Sequence, residues 1–252
     1  MTINYPDAAQ IPALRQIWIS CFGDTDAFLD NFFGTAFSPD RCRCITVDGQ
    51  IAAVLYWLPV FCEGVSFAYL YAIATHPEYR NRGLCRQLMA DTEAVLKDRG
   101  YAGALLRPQN EDLARMYRSM GYEYCTCIAA FEAVASNTPA PIQKITGSEY
   151  AALRRRLLPS GAVVQEQENM AFLETQAALY AGAGFLAALD LTGGNVRCQE
   201  FLGNRACAPD LLCALNIPGG SFRTCGKDAP FVMGKFLAPG CPKPTYFGLP
   251  FD

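Results

Sequence analysis

The sequence predicts a mixed α/β protein (α+β, mixed sheet) in two successive halves, and three observations lead to that fold class. Apolar residues recur at helical spacing in some segments and form short strand-like runs in others, so residues 1–135 read α-α-β-β-β-α-β-α-β. Pro139-Ala140-Pro141 then marks a change of character and reads as a linker. Beyond it the coarse order α-α-β-β-α-β-β repeats much of the first half, which gives two domains, 1–135 and a smaller 136–252.

Each element has a local reason. Residues 9–22 place Ile11, Leu14, Ile17, Trp18 and Cys21 on one helical stripe. A second helix runs to about Phe33 from Asp24 or Thr25 as N-cap. Residues 43–47 and 51–59 flank Asp48-Gly49 and read as a hairpin. Residues 67–75 form an aromatic and apolar strand. Residues 84–99 form a long helix with Leu84, Leu88, Val95 and Leu96 on one stripe, closed by Gly100. A buried strand at 102–106, a helix at 111–120 and strand material at 122–133 complete the half. In the second half, helices are expected at 149–158, 168–181 and 209–215, and strands at 184–191, 196–202, 221–225, 230–237 and 246–251.

Composition narrows the function. With 51% hydrophobic residues, 18% charged residues and a net charge of −3, the chain can bury a sizeable core and carries no basic footprint for nucleic acid or an anionic membrane. No start resembles a secretory signal and no apolar run reaches the ~18 residues of a membrane span, so the cytoplasm is expected. The twelve cysteines then read as reduced, small hydrophobes. Cys42/Cys44 and Cys125/Cys127 are C-x-C pairs, but this is not zinc-ribbon spacing, and no metal is expected. The single histidine, His76, precedes Pro77 in a polar connector and reads as a loop residue, not a catalytic base.

The segment 80–85, Arg-Asn-Arg-Gly-Leu-Cys, joins a strand to a helix. It lacks both the dinucleotide G-x-G-x-x-G and the P-loop pattern. Two readings stand: an anion seat of backbone N–H groups at a helix start, suited to a diphosphate, or a basic solvated helix start.

Residues 73–84, Ile-Ala-Thr-His-Pro-Glu-Tyr-Arg-Asn-Arg-Gly-Leu, resemble the strand-to-helix segment of the GNAT N-acetyltransferases, whose signature is [QR]-x-x-G-x-[GA]. Asn110, followed by Ala114-Arg115-Met116-Tyr117-Arg118-Ser119-Met120-Gly121-Tyr122, resembles that family's second segment, an asparagine and a helix ending Tyr-x-x-x-Gly-[Phe/Tyr]. The resemblance covers residues 2–133 and implies a GNAT fold that binds acetyl-CoA as co-substrate and transfers its acetyl group to a primary amine. It implies cofactor contacts from Ile73, Thr75, Arg80, Asn81, Arg82, Gly83, Leu84, Cys85, Arg86 and Asn110, with the pantetheine arm against strand 67–75. It implies that Tyr117 is the general acid that protonates the departing thiolate. By spacing alone Tyr117 belongs to the stripe Leu113, Met116, Tyr117 and Met120, and reads as packing. Asn110 reads equally as a helix cap. Cys85 departs from the signature, as a tolerated small residue or as a redox-sensitive thiol.

Glu63, Glu123 and Glu132 qualify as a base by charge alone, and none is assigned. The second half has no counterpart of the turn at 80–85 and reads as a degenerate GNAT-like lobe that shapes the acceptor site, with a remote further role for the terminal carboxylate after Phe251-Asp252. An acetyl-CoA-binding sensor without useful turnover is the alternative function, and an interaction protein with an inert first half is a third.

Overall fold

The computed structural model describes residues 1–191 and 196–251. The chain forms two compact units. One comprises Met1–Val60, Gly64–Glu123 and Gly234–Cys241; the other comprises Phe61–Glu63, Tyr124–Met233 and Pro242–Asp252. The carboxylate of Asp252 lies outside the described residues.

In chain order the first unit begins with β1 (Thr2–Asn4), α1 (Ile11–Phe22) and α2 (Asp26–Thr35). Then come β2 (Cys42–Val47), β3 (Gln50–Cys62), β4 (Val65–Thr75), α3 (Leu84–Asp98), β5 (Gly103–Leu106), α4 (Glu111–Arg118) and β6 (Glu123–Tyr124). Helix α1 stops at Gly23, whose φ of 76° suits the left-handed cap that glycine adopts without a Cβ penalty. Helix α2 starts at Thr25, whose hydroxyl accepts the Phe28 N–H at 3.2 Å. Its Phe32, together with Tyr56 and Tyr71, surrounds Trp18 of α1 at ring separations of 4.7, 5.2 and 5.7 Å. The Trp18 indole is nonetheless satisfied, donating to Asp24 Oδ2 at 2.8 Å.

β3 is buried at nearly every position, as a central strand covered on both faces must be. β2 pairs antiparallel with β1 and β3, and β4 pairs parallel with β5. The seven-stranded sheet runs β1-β2-β3-β4-β5-β14-β6, where β14 (Met233–Phe236) comes from far downstream. Gly103 is required at this junction. A Cβ there would come within 2.8 Å of the Phe67 ring and 2.9 Å of the Lys235 carbonyl oxygen. Lys235 in turn donates to Glu93 of α3 at 2.6 Å, and the same carboxylate accepts the Tyr122 hydroxyl at 3.0 Å.

The second unit contains β7 (Cys127–Val134), β8 (Ile142–Lys144), α5 (Gly147–Leu157), α6 (Glu168–Gln176), β9 (Ala178–Gly182) and β10 (Phe185–Asp190). It continues with β11 (Val196–Gly203), α7 (Ala208–Ala214), β12 (Gly219–Cys225) and β13 (Ala229–Pro230). Its sheet runs β8-β9-β10-β11-β12-β7-β13. This repeats the first order: a leading strand, two helices, three strands, a helical crossover to a parallel fifth strand, then a strand taken from elsewhere in the chain. Within this repeat α7 has only seven residues against fifteen in α3.

A buried ion pair sits within this second unit. Arg154 of α5, 1% exposed, donates to Glu200 of β11, 0% exposed, through Nε at 2.6 Å and Nη2 at 2.9 Å. Tyr150 and Tyr246 each donate a hydroxyl to the same carboxylate at 3.1 Å. Burial at this depth is tolerated because every lone-pair direction of the carboxylate finds a donor.

Three expectations need correction. The helix expected at 168–181 ends at Gln176, and residues 178–182 pair with β10 as β9. The strand expected at 246–251 is not formed. Tyr246 makes only an isolated parallel bridge to Ala162. The strand expected at 230–237 is broken into β13 and β14, which belong to different sheets.

Candidate functional site

The site lies within the first unit, where β4 outruns its neighbour. Register between β4 and β5 is limited to Ala68↔Ala104 and Tyr69↔Leu105, yet β4 continues to Thr75. Ala72 bends this overhang, with a φ of 47° that is costly for a residue with a Cβ. The bend and the early end of β5 leave main chain around Ile73 facing a cavity of about 470 Å³ instead of a strand.

Below the overhang the chain turns into α3. Asn81 and Gly83 both take left-handed φ values, 61° and 74°. The first bond closing the helix is Gln87 N–H to the Gly83 carbonyl at 3.1 Å. The N–H groups of Leu84, Cys85 and Arg86 therefore have no intrahelical acceptor. Gly83 as N-cap supplies no side-chain oxygen, and no acidic residue stands in the first turn. A fifteen-residue helix thus ends on free donors and the positive end of its dipole, an arrangement that favours a phosphate.

The opposite wall is α4 with the turn that follows it, which present Leu113, Met116 and Tyr117 from the helix and Met120 from the turn. Its N-terminus is set by Asn110, whose Oδ1 accepts the Leu113 N–H at 3.0 Å. Tyr117 is 6% exposed, and its hydroxyl has no hydrogen-bond partner among the described residues. Burial, reinforced by the nearby Cys85 sulfur, pushes this phenol well above its ordinary pKa. Burial likewise pushes the Cys85 thiol up to about 11, against a weaker opposing influence from Arg86.

Nine of the eleven residues singled out from sequence line this one cavity: Ile73, Thr75, Arg80, Asn81, Gly83, Leu84, Cys85, Arg86 and Tyr117. Arg82 and Asn110 are not among the lining residues. Arg82 donates to the Glu78 carbonyl at 2.9 Å and stacks over Tyr79 at 5.1 Å. The arginines that do line it are partly engaged already: Arg80 Nε donates to the Thr75 carbonyl at 3.2 Å, and Arg86 donates to the carbonyl and hydroxyl oxygens of Ser119 at 3.0 and 2.7 Å. Glu63, Glu123 and Glu132 are exposed and do not line the cavity. Sequence reasoning missed Cys21 and Phe22, which join the wall from the last turn of α1. Only the packing of α1 on β4 brings them there, through the Cys21 thiol donating to the Thr75 carbonyl at 3.4 Å.

Among its described residues the second unit lacks these parts. β11 and β12 pair from Val196↔Gly220 to Phe201↔Thr224, with a register shift between Cys198 and Phe201, and the pairing reaches within one residue of the end of β12. The turn into α7 is a 3-10 segment, Arg205–Cys207, and β12 is followed by β13 without an intervening helix.

A strand that outruns its parallel neighbour, an uncapped helix start below it and a tyrosine on the facing helix are the parts of a GNAT-type fold. Residues 2–125 match the family model described as an acetyltransferase (GNAT) domain. No curated protein matches the chain. Among solved structures it is similar to GCN5-related N-acetyltransferases from Kribbella flavida and Anabaena variabilis, each with a TM-score of 0.72. Identity is 15% and 16%, over 94% of this chain and 72% and 73% of theirs. It is also similar to Eis1 from Mycobacterium abscessus, with a TM-score of 0.68 and 14% identity over 94% of this chain and 74% of that one. At these identities the likeness is one of fold, and it extends over both units. Among the described residues no group of three His, Cys, Asp or Glu side chains could hold a metal ion, and no helix is long and apolar enough to cross a membrane.

Proposed function

We propose that the protein is an acetyl-CoA-dependent N-acetyltransferase whose first unit carries catalysis, while the second is an accessory lobe that binds no coenzyme A. The observation that carries this reading is the convergence, on one cavity, of the β4 overhang, the uncapped N–H groups of α3 and the unpartnered Tyr117 hydroxyl. The residues fit the group. The N–H groups of Leu84, Cys85 and Arg86 would hold the diphosphate, and main chain around Ile73 would pair with the pantetheine arm as an added strand. Acetyl-CoA supplies an activated acyl group and a stable leaving thiolate. An N–H near Ile73 polarises the acetyl carbonyl, a neutral primary amine attacks it directly, and Tyr117 protonates the departing sulfur. Because the amine can release its proton to water, no protein base is required. Free thiols at all twelve cysteines suit a reducing compartment, and we place the enzyme in the cytoplasm.

Calorimetric titration with acetyl-CoA, followed by an amine panel read by free-thiol release, tests the proposal. Absence of micromolar-range binding would refute it. Binding without thiol release from any amine would leave a sensor.

A further inference from the structure

Two cysteine thiols line the proposed cofactor cavity, and they differ in setting. Cys85 opens α3, and burial holds it as a thiol. Cys21 comes from the last turn of α1 and is half-buried. Its thiol donates to the Thr75 carbonyl at 3.4 Å and lies 3.9 Å from the Arg80 Nη2, which donates toward the sulfur. Once the proton has left, the guanidinium faces the charge on that sulfur.

We propose that Cys21 is a modification site, at which thiol–disulfide exchange with coenzyme A disulfide leaves one coenzyme A covalently attached in the cavity. The inference rests on the acetyl-CoA reading of the cavity. A second observation besides the sulfur points to a ligand there: the Tyr117 hydroxyl, more than nine-tenths buried and without a partner among the described residues, lines the same space. The uncapped donors of α3 give the preference for coenzyme A over other disulfides, because they suit a diphosphate that glutathione lacks.

The step balances without a further reactant. Cys21 loses its proton to solvent, and its sulfur attacks one sulfur of the disulfide. The old S–S bond breaks as the new one forms, and the electron pair leaves with the second coenzyme A, which takes up a proton. Cys21 is oxidised and one coenzyme A is reduced. The adduct fills the space acetyl-CoA needs, so activity stops until a thiol reductant reverses the exchange.

Intact-mass spectrometry with peptide mapping, on full-length protein in micromolar coenzyme A disulfide, tests this. The expected result is one coenzyme A on the Cys21 peptide, formed roughly 10²-fold faster than the glutathione adduct because prior docking makes the exchange effectively intramolecular. Excess acetyl-CoA should slow it, dithiothreitol should remove it, and Cys21→Ser should abolish it. Mapping of the adduct to Cys85 or any other cysteine, or equal rates with the two disulfides, overturns the proposal. Because mapping is done on the parent protein, it stands even if a variant misfolds. No adduct on a parent that binds acetyl-CoA by calorimetry refutes the Cys21 inference alone. No adduct and no acetyl-CoA binding refutes both readings.

Discussion

Replacing Tyr117 by phenylalanine separates packing from chemistry, because the ring stays and only the hydroxyl leaves. The structure sets both magnitudes. The hydroxyl has no partner among the described residues, so its loss breaks no protein hydrogen bond and should change stability by no more than about 0.5 kcal/mol. For a chain of this size that is a shift in melting temperature of about two degrees or less. The kinetic effect should be much larger. Burial makes the phenol a weaker acid than in water, which argues against a large catalytic factor. The same burial, however, disfavours a thiolate in this cavity, as the rise of the Cys85 thiol to about 11 shows, so the proton acceptor strengthens in step with the donor. Transfer remains feasible, and the low end of general-acid factors applies: a turnover loss of about 10²-fold, or about 2.7 kcal/mol in the barrier. Steady-state thiol release, acetyl-CoA calorimetry and thermal melts on parent and variant read the three quantities apart. Parental turnover in Tyr117→Phe would remove the residue from the mechanism. A melting temperature lower by ten degrees would show that the hydroxyl serves the fold.

Other outcomes follow from the same geometry. Gly83→Val puts a Cβ where no protein atom lies within 4 Å, but at a φ of 74°, so it should cost roughly 1–2 kcal/mol of stability and weaken acetyl-CoA binding by more than about tenfold. Gly100→Val carries the same strain at a φ of 79° beyond the far end of α3 and should leave affinity alone; equal affinities for the two variants would refute the anion seat. Asn110→Ala should cost about 1 kcal/mol through loss of the α4 cap; acetyl-CoA affinity near the parent's by calorimetry would leave it a cap alone, and a large affinity loss would make it a ligand contact as well. Arg154→Met strands the Glu200 carboxylate in the second unit and should destabilise by about 3–5 kcal/mol in urea titration; a near-neutral result would show that the pair contributes little.

The first half was largely legible from sequence because its signals are local. A cap at Asp24 or Thr25, Gly100 closing the long helix and the stripe on α4 need only neighbouring residues to be read. The turn at 80–85 was legible as an anion seat or a basic helix start, and the structure adds what decides the geometry: left-handed Asn81 and Gly83 below free helix donors. Cys21 was invisible as a wall residue because 54 positions separate it from Thr75, and only tertiary packing joins them. The second half was read less well for a related reason. Residues 178–182 carry an apolar run compatible with helix or strand, and pairing with β10 decided it. β8 and β13, of three and two residues, are too short to leave a periodic signal.

The borrowed strands bear on how this polypeptide can be made and cut. β14 stands between β5 and β6, so a ribosome must synthesise past residue 236 before the first sheet can be completed. A fragment stopped at the proline-bearing linker would lack that inner strand, leaving the edges of β5 and β6 with unpaired main-chain groups open to other chains. Such fragments should aggregate, whereas a nick at the linker in the finished protein should leave both sheets intact, since each already holds the strand it needs. Pairing partners far apart in sequence also place a large loop-closure cost ahead of the contacts that repay it, so folding should be slow and should finish late.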